Sequence, residues 1–163
     1  MRVVSKTSPL SNLAIIGHLA LVREQLGTVL IPPAVRAELL RNPHPKACSA
    51  AEAAIQEGWI RVVPLAGAVP PIFAAGLDLG EAEALALALE TKSPLVLLDE
   101  SAARLQAKEL GLTFTGVPGL LRQAKQTGRI TSLREQINRL RTEARFFVSP
   151  ALEKALIISL GEN

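Results

Sequence analysis

Glu38, Glu81, Asp99 and Glu100, together with Lys6, stand where chemistry could gather. Asp99 and Glu100 follow Leu95-Val96-Leu97-Leu98, a run without a polar side chain. A carboxylate beside such a run faces burial. Burying an isolated charge is costly, so Asp99 should be paired, hydrogen-bonded or metal-bound; the alternative is that it caps the helix starting at Ser101. Glu81 follows Asp78 at capping-box spacing, which would turn its carboxylate back to the first amide of the helix. Glu83 is two positions further, roughly 200° around the helix, so it cannot easily share the target of Glu81. Glu38 lies about one and a half turns into a helix, where a plain surface role is the alternative. Lys6 follows the first strand.

The elements that position these residues can be read along the chain. Arg2-Val3-Val4-Ser5, Thr28-Val29-Leu30-Ile31, Trp59-Ile60-Arg61-Val62-Val63, Leu95-Val96-Leu97-Leu98 and Leu112-Thr113-Phe114-Thr115 read as five strands. Ser8-Pro9 reads as a helix start, with Ser8 as N-cap, and the apolar spacing of Leu10, Leu13, Ile16 and Leu19 continues it, with Gly17 as a break. Pro32-Pro33 opens a helix through Leu40, and Ser49 to Glu57 is an Ala-rich helix closed by Gly58. Asn42 to Pro45 reads as a loop, and Pro64 to Leu77 as a linker or flap. Further helices are expected over Ala82–Glu90, Ser101–Leu110, Leu120–Thr127, Ser132–Arg145 and Pro150–Leu160. Strands alternating with helices imply parallel pairing and a three-layer α/β/α fold around a central sheet of about five strands. Such sheets bind ligands outside the carboxyl ends of their strands, where the acids above would stand. The reading is of one domain over 1–163, with 131–163 as a C-terminal helical extension.

Composition narrows the function classes. The 163 residues are 48% hydrophobic and only 3% aromatic, so the core must be aliphatic. No apolar run is long enough to span a membrane, and no export signal is visible, which with the single Cys48 suits a cytoplasmic location. The net charge of +3 is small, but residues 116–145 hold seven basic side chains against two acidic ones. Such a stretch suits phosphate-rich partners, or forms solvated helix faces. Glycine-rich nucleotide cradles are absent. His18 and His44 lack zinc-ligand spacing with Cys48, and neither Ser101 nor Cys48 carries a nucleophile signature.

Taken together, the segments resemble the PIN-domain ribonuclease family, in its bacterial and archaeal toxin-like branch. Val3-Val4-Ser5-Lys6-Thr7-Ser8-Pro9-Leu10 is similar to the opening strand and turn. Val29 to Leu39 resembles the second strand and acid-bearing helix, Leu79 to Ala88 the third-acid helix, and Leu97 to Arg104 the exit with the fourth acid. Gly111 to Gly116 resembles the next strand and turn. The resemblance implies a Mg²⁺- or Mn²⁺-dependent endonuclease acting on single-stranded RNA. Glu38, Glu81 and Asp99 would be the catalytic and metal-holding residues, converging on one pocket, with Glu83, Glu100 and Ser8 as helpers. It also implies a homodimer and an antitoxin-type protein partner.

Two positions depart from the family pattern. Lys6 stands where the first acid is expected, and Val117-Pro118 where that branch often carries Thr-Leu. At about 4 Å and an effective dielectric near 20, a unit charge pair is worth roughly 4 kcal/mol. A shift of that size weakens metal binding roughly a thousandfold. Lys6 would then either fill the place of the cation, pairing with Asp99 and Glu81, or swing out and leave a weak site. The first outcome implies a catalytically inactive relative that binds RNA or an antitoxin-type protein; the second, a weakened nuclease.

Overall fold

The computed structural model describes residues 2–74 and 76–160. Five strands form one sheet: β1 (Val3–Ser5), β2 (Val29–Ile31), β3 (Ile60–Val62), β4 (Leu95–Leu97) and β5 (Thr113–Thr115). Their order is β3-β2-β1-β4-β5, and every pairing is parallel. Each strand is a short β-branched or leucine-rich run, as a sheet covered on both faces requires. The chain winds outward from β1 toward β3 and then returns to place β4 on the other side of β1. The order therefore reverses between β1 and β4, and a crevice opens at their carboxyl ends. Ser5 pairs with Leu97 across that junction, so Lys6 and the residues after Leu97 leave the sheet side by side.

Side-chain alternation divides the core in two. Val3, Val29, Ile31 and Leu97 face one layer, packed by α1 (Thr7–Ile15), α2 (Ala20–Leu26), α4 (Pro45–Glu57), α7 (Val117–Gln126) and α8 (Leu133–Thr142). Val4, Val96 and Leu98 face the other, packed by α5 (Leu79–Glu90) and α6 (Ser101–Glu109). α3 (Pro33–Leu40) bridges α1, α4 and α5 at the edge where the acids lie, and α9 (Pro150–Ser159) packs on α8. This is the three-layer arrangement expected from the alternation of elements. No helix among the described residues is long and apolar enough to cross a membrane.

Several local expectations change, among them the helix expected from Ala82, which starts at Leu79 because Asp78 caps it. α1 starts at Thr7, with Lys6 rather than Ser8 at the N-cap position and no side-chain cap. Pro9 is tolerated because amides of a first helical turn have no intrahelical partner anyway. α4 starts at Pro45, not Ser49, because His44 Nδ1 accepts from the Lys46 amide at 3.3 Å and caps it. α7 starts at Val117, three residues early, because its amide is held by Asp99. The segment read as a linker contains a 3₁₀ turn, Pro71–Ala74, whose Phe73 is 1% exposed in the second core layer. Its root is fixed too: the Ala66 and Gly67 amides donate to the Glu90 carboxylate at 2.9 and 3.0 Å.

Candidate functional site

Lys6 leaves β1 with its backbone already fixed, since its amide donates to the Leu97 carbonyl at 3.2 Å. The side chain turns inward and is 3% exposed. Its ammonium lies 3.7 Å from Glu81 Oε1 and forms a second ion pair with Glu100. Glu100 is the outer member of the cluster, with about half its side chain in solvent.

Glu81 reaches this point from the first turn of α5. Asp78 caps that helix, its Oδ1 accepting from the Glu81 amide at 2.8 Å. Only half of the expected capping box forms: the Glu81 carboxylate points to Lys6, with its side chain 6% exposed. Burial dominates its proton affinity. Loss of water raises its pKa from 4.5 to about 7, with Asp78 and Glu100 adding to the rise and Lys6 opposing it.

Asp99 does not cap α6. Its Oδ1 accepts from the Val117 amide at 3.0 Å and faces an Arg104 guanidinium nitrogen at 3.5 Å. Arg104 is itself held by two bonds to the Leu98 carbonyl, at 2.9 and 3.0 Å, and lies over the Phe114 ring. The Asp99 side chain is 1% exposed. Desolvation raises its pKa to about 6, against the Val117 amide, Arg104 and Lys6, which all favour its charged form. Gly116 is required for this packing. A Cβ there would collide with Asp99 Oδ1 and Arg104 and come within 2.9 Å of the Leu98 carbonyl.

Glu38 is near but separately engaged. Thr7 Oγ1 donates to its Oε2 at 2.7 Å, and its carboxylate lies against the backbone of Gly80, where a Cβ would strike it. Glu83 faces elsewhere, accepting from the Ala34 amide at 3.3 Å at the start of α3. The Ser8 hydroxyl is buried without a hydrogen-bond partner, as are Glu81 Oε2 and Asp99 Oδ2. The structure thus pairs Glu81 and Glu100 with Lys6, turns Asp99 to Arg104 and the Val117 amide instead of the Lys6 pairing expected, keeps Glu38 on Thr7, and assigns Glu83 to a helix start. Arg104 escaped the sequence reading, although its place in the helix leaving β4 could have flagged it as a partner for Asp99.

These residues do not fit a resident divalent cation. Among the described residues, no three His, Cys, Asp or Glu side chains come together as a metal-binding group. An ammonium stands among the carboxylates at the carboxyl edge, and a guanidinium faces Asp99. Two fixed positive charges there oppose a third.

The basic stretch also has a structural use. Arg129 pairs with Glu24 of α2, Arg139 with Glu143 and Arg141 with Glu153 of α9, while Arg122 donates to the Ser159 hydroxyl. Part of that charge is therefore met within the chain: Arg129 links the end of α7 to α2, Arg141 links α8 to α9, and Arg122 links α7 to α9.

A search of curated proteins finds no match. A family model described as a PIN domain matches residues 2–162, taking in all five strands and every residue of the Lys6 cluster. The match covers nearly the whole chain and agrees with the parallel five-strand sheet, so the chain belongs to the PIN-domain family.

Proposed function

We propose that this protein binds single-stranded RNA at the carboxyl edge of its sheet and does not hydrolyse it. The family is of nuclease type, generally acts on RNA, and generally uses divalent ions. The observation that carries the non-cutting reading is the Lys6 ammonium, 3% exposed and paired with both Glu81 and Glu100. An ion that would activate water has to displace that ammonium, which is held by the same acids the ion would need. RNA binding does not require the ion. Arg36 on α3 is exposed and Arg104 on α6 is half-buried, and both helices leave strands at this edge. The exposed Arg36 guanidinium can take phosphate oxygens there in bidentate fashion, while Arg104, held by the Leu98 carbonyl and Asp99, adds positive charge. On this reading, residues 131–163 extend a single domain, since α8 packs on α7 and α9 on α8.

Fluorescence anisotropy with a labelled single-stranded RNA tests the proposal. Wild type should bind, with affinity falling as salt rises. Arg36→Glu should weaken binding several-fold and flatten the salt dependence. Incubation with the same RNA and Mn²⁺ should leave it intact. Cleavage by wild type that disappears in Asp99→Asn would restore the metal-dependent, toxin-type nuclease. Absence of RNA binding at low salt would turn the reading toward an antitoxin-type protein partner.

A further inference from the structure

We propose that the turn between α8 and α9 is a second contact for single-stranded RNA, where Phe147 stacks on an unpaired base while Arg145, with Lys46 at the start of α4, holds neighbouring phosphates. The proposal rests on the RNA-binding reading above, but its residues are not those of the carboxyl edge. None of Lys6, Arg36, Glu81, Asp99, Glu100 and Arg104 lines the hollows around this turn.

The turn presents one ring. Phe146 packs against the first core layer and Val148 is 1% exposed, while Phe147 between them is 80% exposed. It is the most exposed large apolar side chain among the described residues. The backbone that carries it is fixed. Arg141 Nη2 donates to the Val148 carbonyl at 2.6 Å, and Arg141 Nη1 pairs with Glu153 of α9 at 2.7 Å. Arg145 enters the turn with φ of 53°, in the left-handed region that side chains with a Cβ rarely adopt. The turn thus keeps an unfavourable backbone, with its anchors inward and its ring outward. Strain held in place by its surroundings points to a functional turn.

Charge around the ring matches the same ligand. Arg145 lines two hollows, one of about 520 Å³ with His44 and Glu143 in its wall, the other of about 240 Å³ with Arg141, Phe146 and Phe147. Arg139 is taken by Glu143 and Arg141 by Glu153. Among the described residues this leaves the exposed Arg145 and Lys46 without an ion pair. Glu143 feels the surplus: the Arg139 hydrogen bond holds its carboxyl below the usual range, and the charge of Arg139, Lys46 and His44 lowers it further. Unpaired strands are gripped by this combination, a ring that stacks on any base beside cations that follow the backbone. A duplex hides its base faces. A docked protein would call for a contiguous apolar face rather than one ring beside two arginines.

The experiment measures binding of a labelled single-stranded oligouridylate by fluorescence anisotropy, with the Tm of every variant. Phe147→Ala should weaken binding about fivefold or more at unchanged Tm. Phe147→Trp should keep wild-type affinity, and Phe147→Leu, which is apolar but has no ring, should not. Arg145→Asn, which tolerates the same backbone, should weaken binding and lower the slope of log K against log salt by about 0.7. In wild type, the same RNA carrying 4-thiouridine should photocrosslink to the tryptic peptide Phe146–Lys154, a readout that needs no variant to fold. Wild-type affinity in Phe147→Ala or in Phe147→Leu, or crosslinks confined to other peptides, would overturn the proposal. So would a wild-type dimer that dissociates in Phe147→Ala with RNA affinity unchanged, which would make the ring a contact between two copies of the chain. Arg36→Glu separates the two readings. Loss in Arg36→Glu alone leaves RNA at the carboxyl edge and removes the second contact. Loss in Phe147→Ala alone, with crosslinks at Phe146–Lys154, leaves the turn and removes the edge. No binding by wild type at low salt removes both.

Discussion

At the scale of single residues, two buried acids hold their protons more tightly than free carboxyls do. Glu81 moves from 4.5 to about 7 and Asp99 from 3.8 to about 6, each chiefly through desolvation. Around Glu81 stand Lys6, Asp78 and Glu100; around Asp99 stand the Val117 amide, Arg104, Lys6 and Glu100. Because the folded chain binds more protons than the unfolded one across this window, the free energy of unfolding falls as pH rises from about 4 to about 7. Urea unfolding at pH 5 and pH 7 should record that fall, and Glu81→Gln should flatten it. An unchanged difference in the variant would remove Glu81 from the account. What could be read beforehand at this scale was residue type and rough place: acids at strand exits, and a lysine out of keeping with them. What could not be read was the choice of partner. Glu81 had two local options, the helix cap or the crevice, and only the position of Lys6 across the sheet decided between them. Asp99 likewise turned to an amide far along the chain rather than to the helix beside it.

At the scale of elements, strands were legible because β-branched and leucine runs bounded by Gly, Pro and Ser are strong signals. Their ends shifted by a residue or so, within the usual fraying of boundaries. Helix starts were less legible wherever the cap was unusual. α1 begins without a side-chain cap, and α4 begins on a histidine nitrogen. The segment 64–77 misled most, because its Pro and Gly content masks one anchoring aromatic. Phe73 is fully enclosed in the layer of α5 and α6. Phe73→Ala should therefore cost about 3 kcal/mol or more, seen as a lower urea midpoint. A loss below about 1 kcal/mol would mean that the site collapses around the cavity or that the segment is not docked in solution.

At the scale of the whole molecule, alternation of strand and helix carried the layered architecture, while strand order came only with the structure. That order matters for the cluster, because it sets β1 beside β4 and brings Lys6 to the acids of a distant segment. The basic stretch in 116–145 shows the opposite limit. Its charge could be counted in the sequence, but not its destination, and several of those cations are spent on Glu24, Glu143 and Glu153. Counting charge without geometry would have credited them to a phosphate partner.

The joining of β1 to β4 by way of β2, β3 and α5 has a consequence for the order of events during folding. Lys6 and its acids belong to opposite ends of a long excursion, and that loop must close before any of these charges can lose its water. The cluster is thus assembled after the local helices, and its formation trails the barrier rather than shaping it. Glu81→Gln should accordingly leave the refolding rate nearly unchanged and act on unfolding, with φ close to zero in a chevron analysis. A φ near one would mean that the buried charges meet early and help to steer β4 into its place.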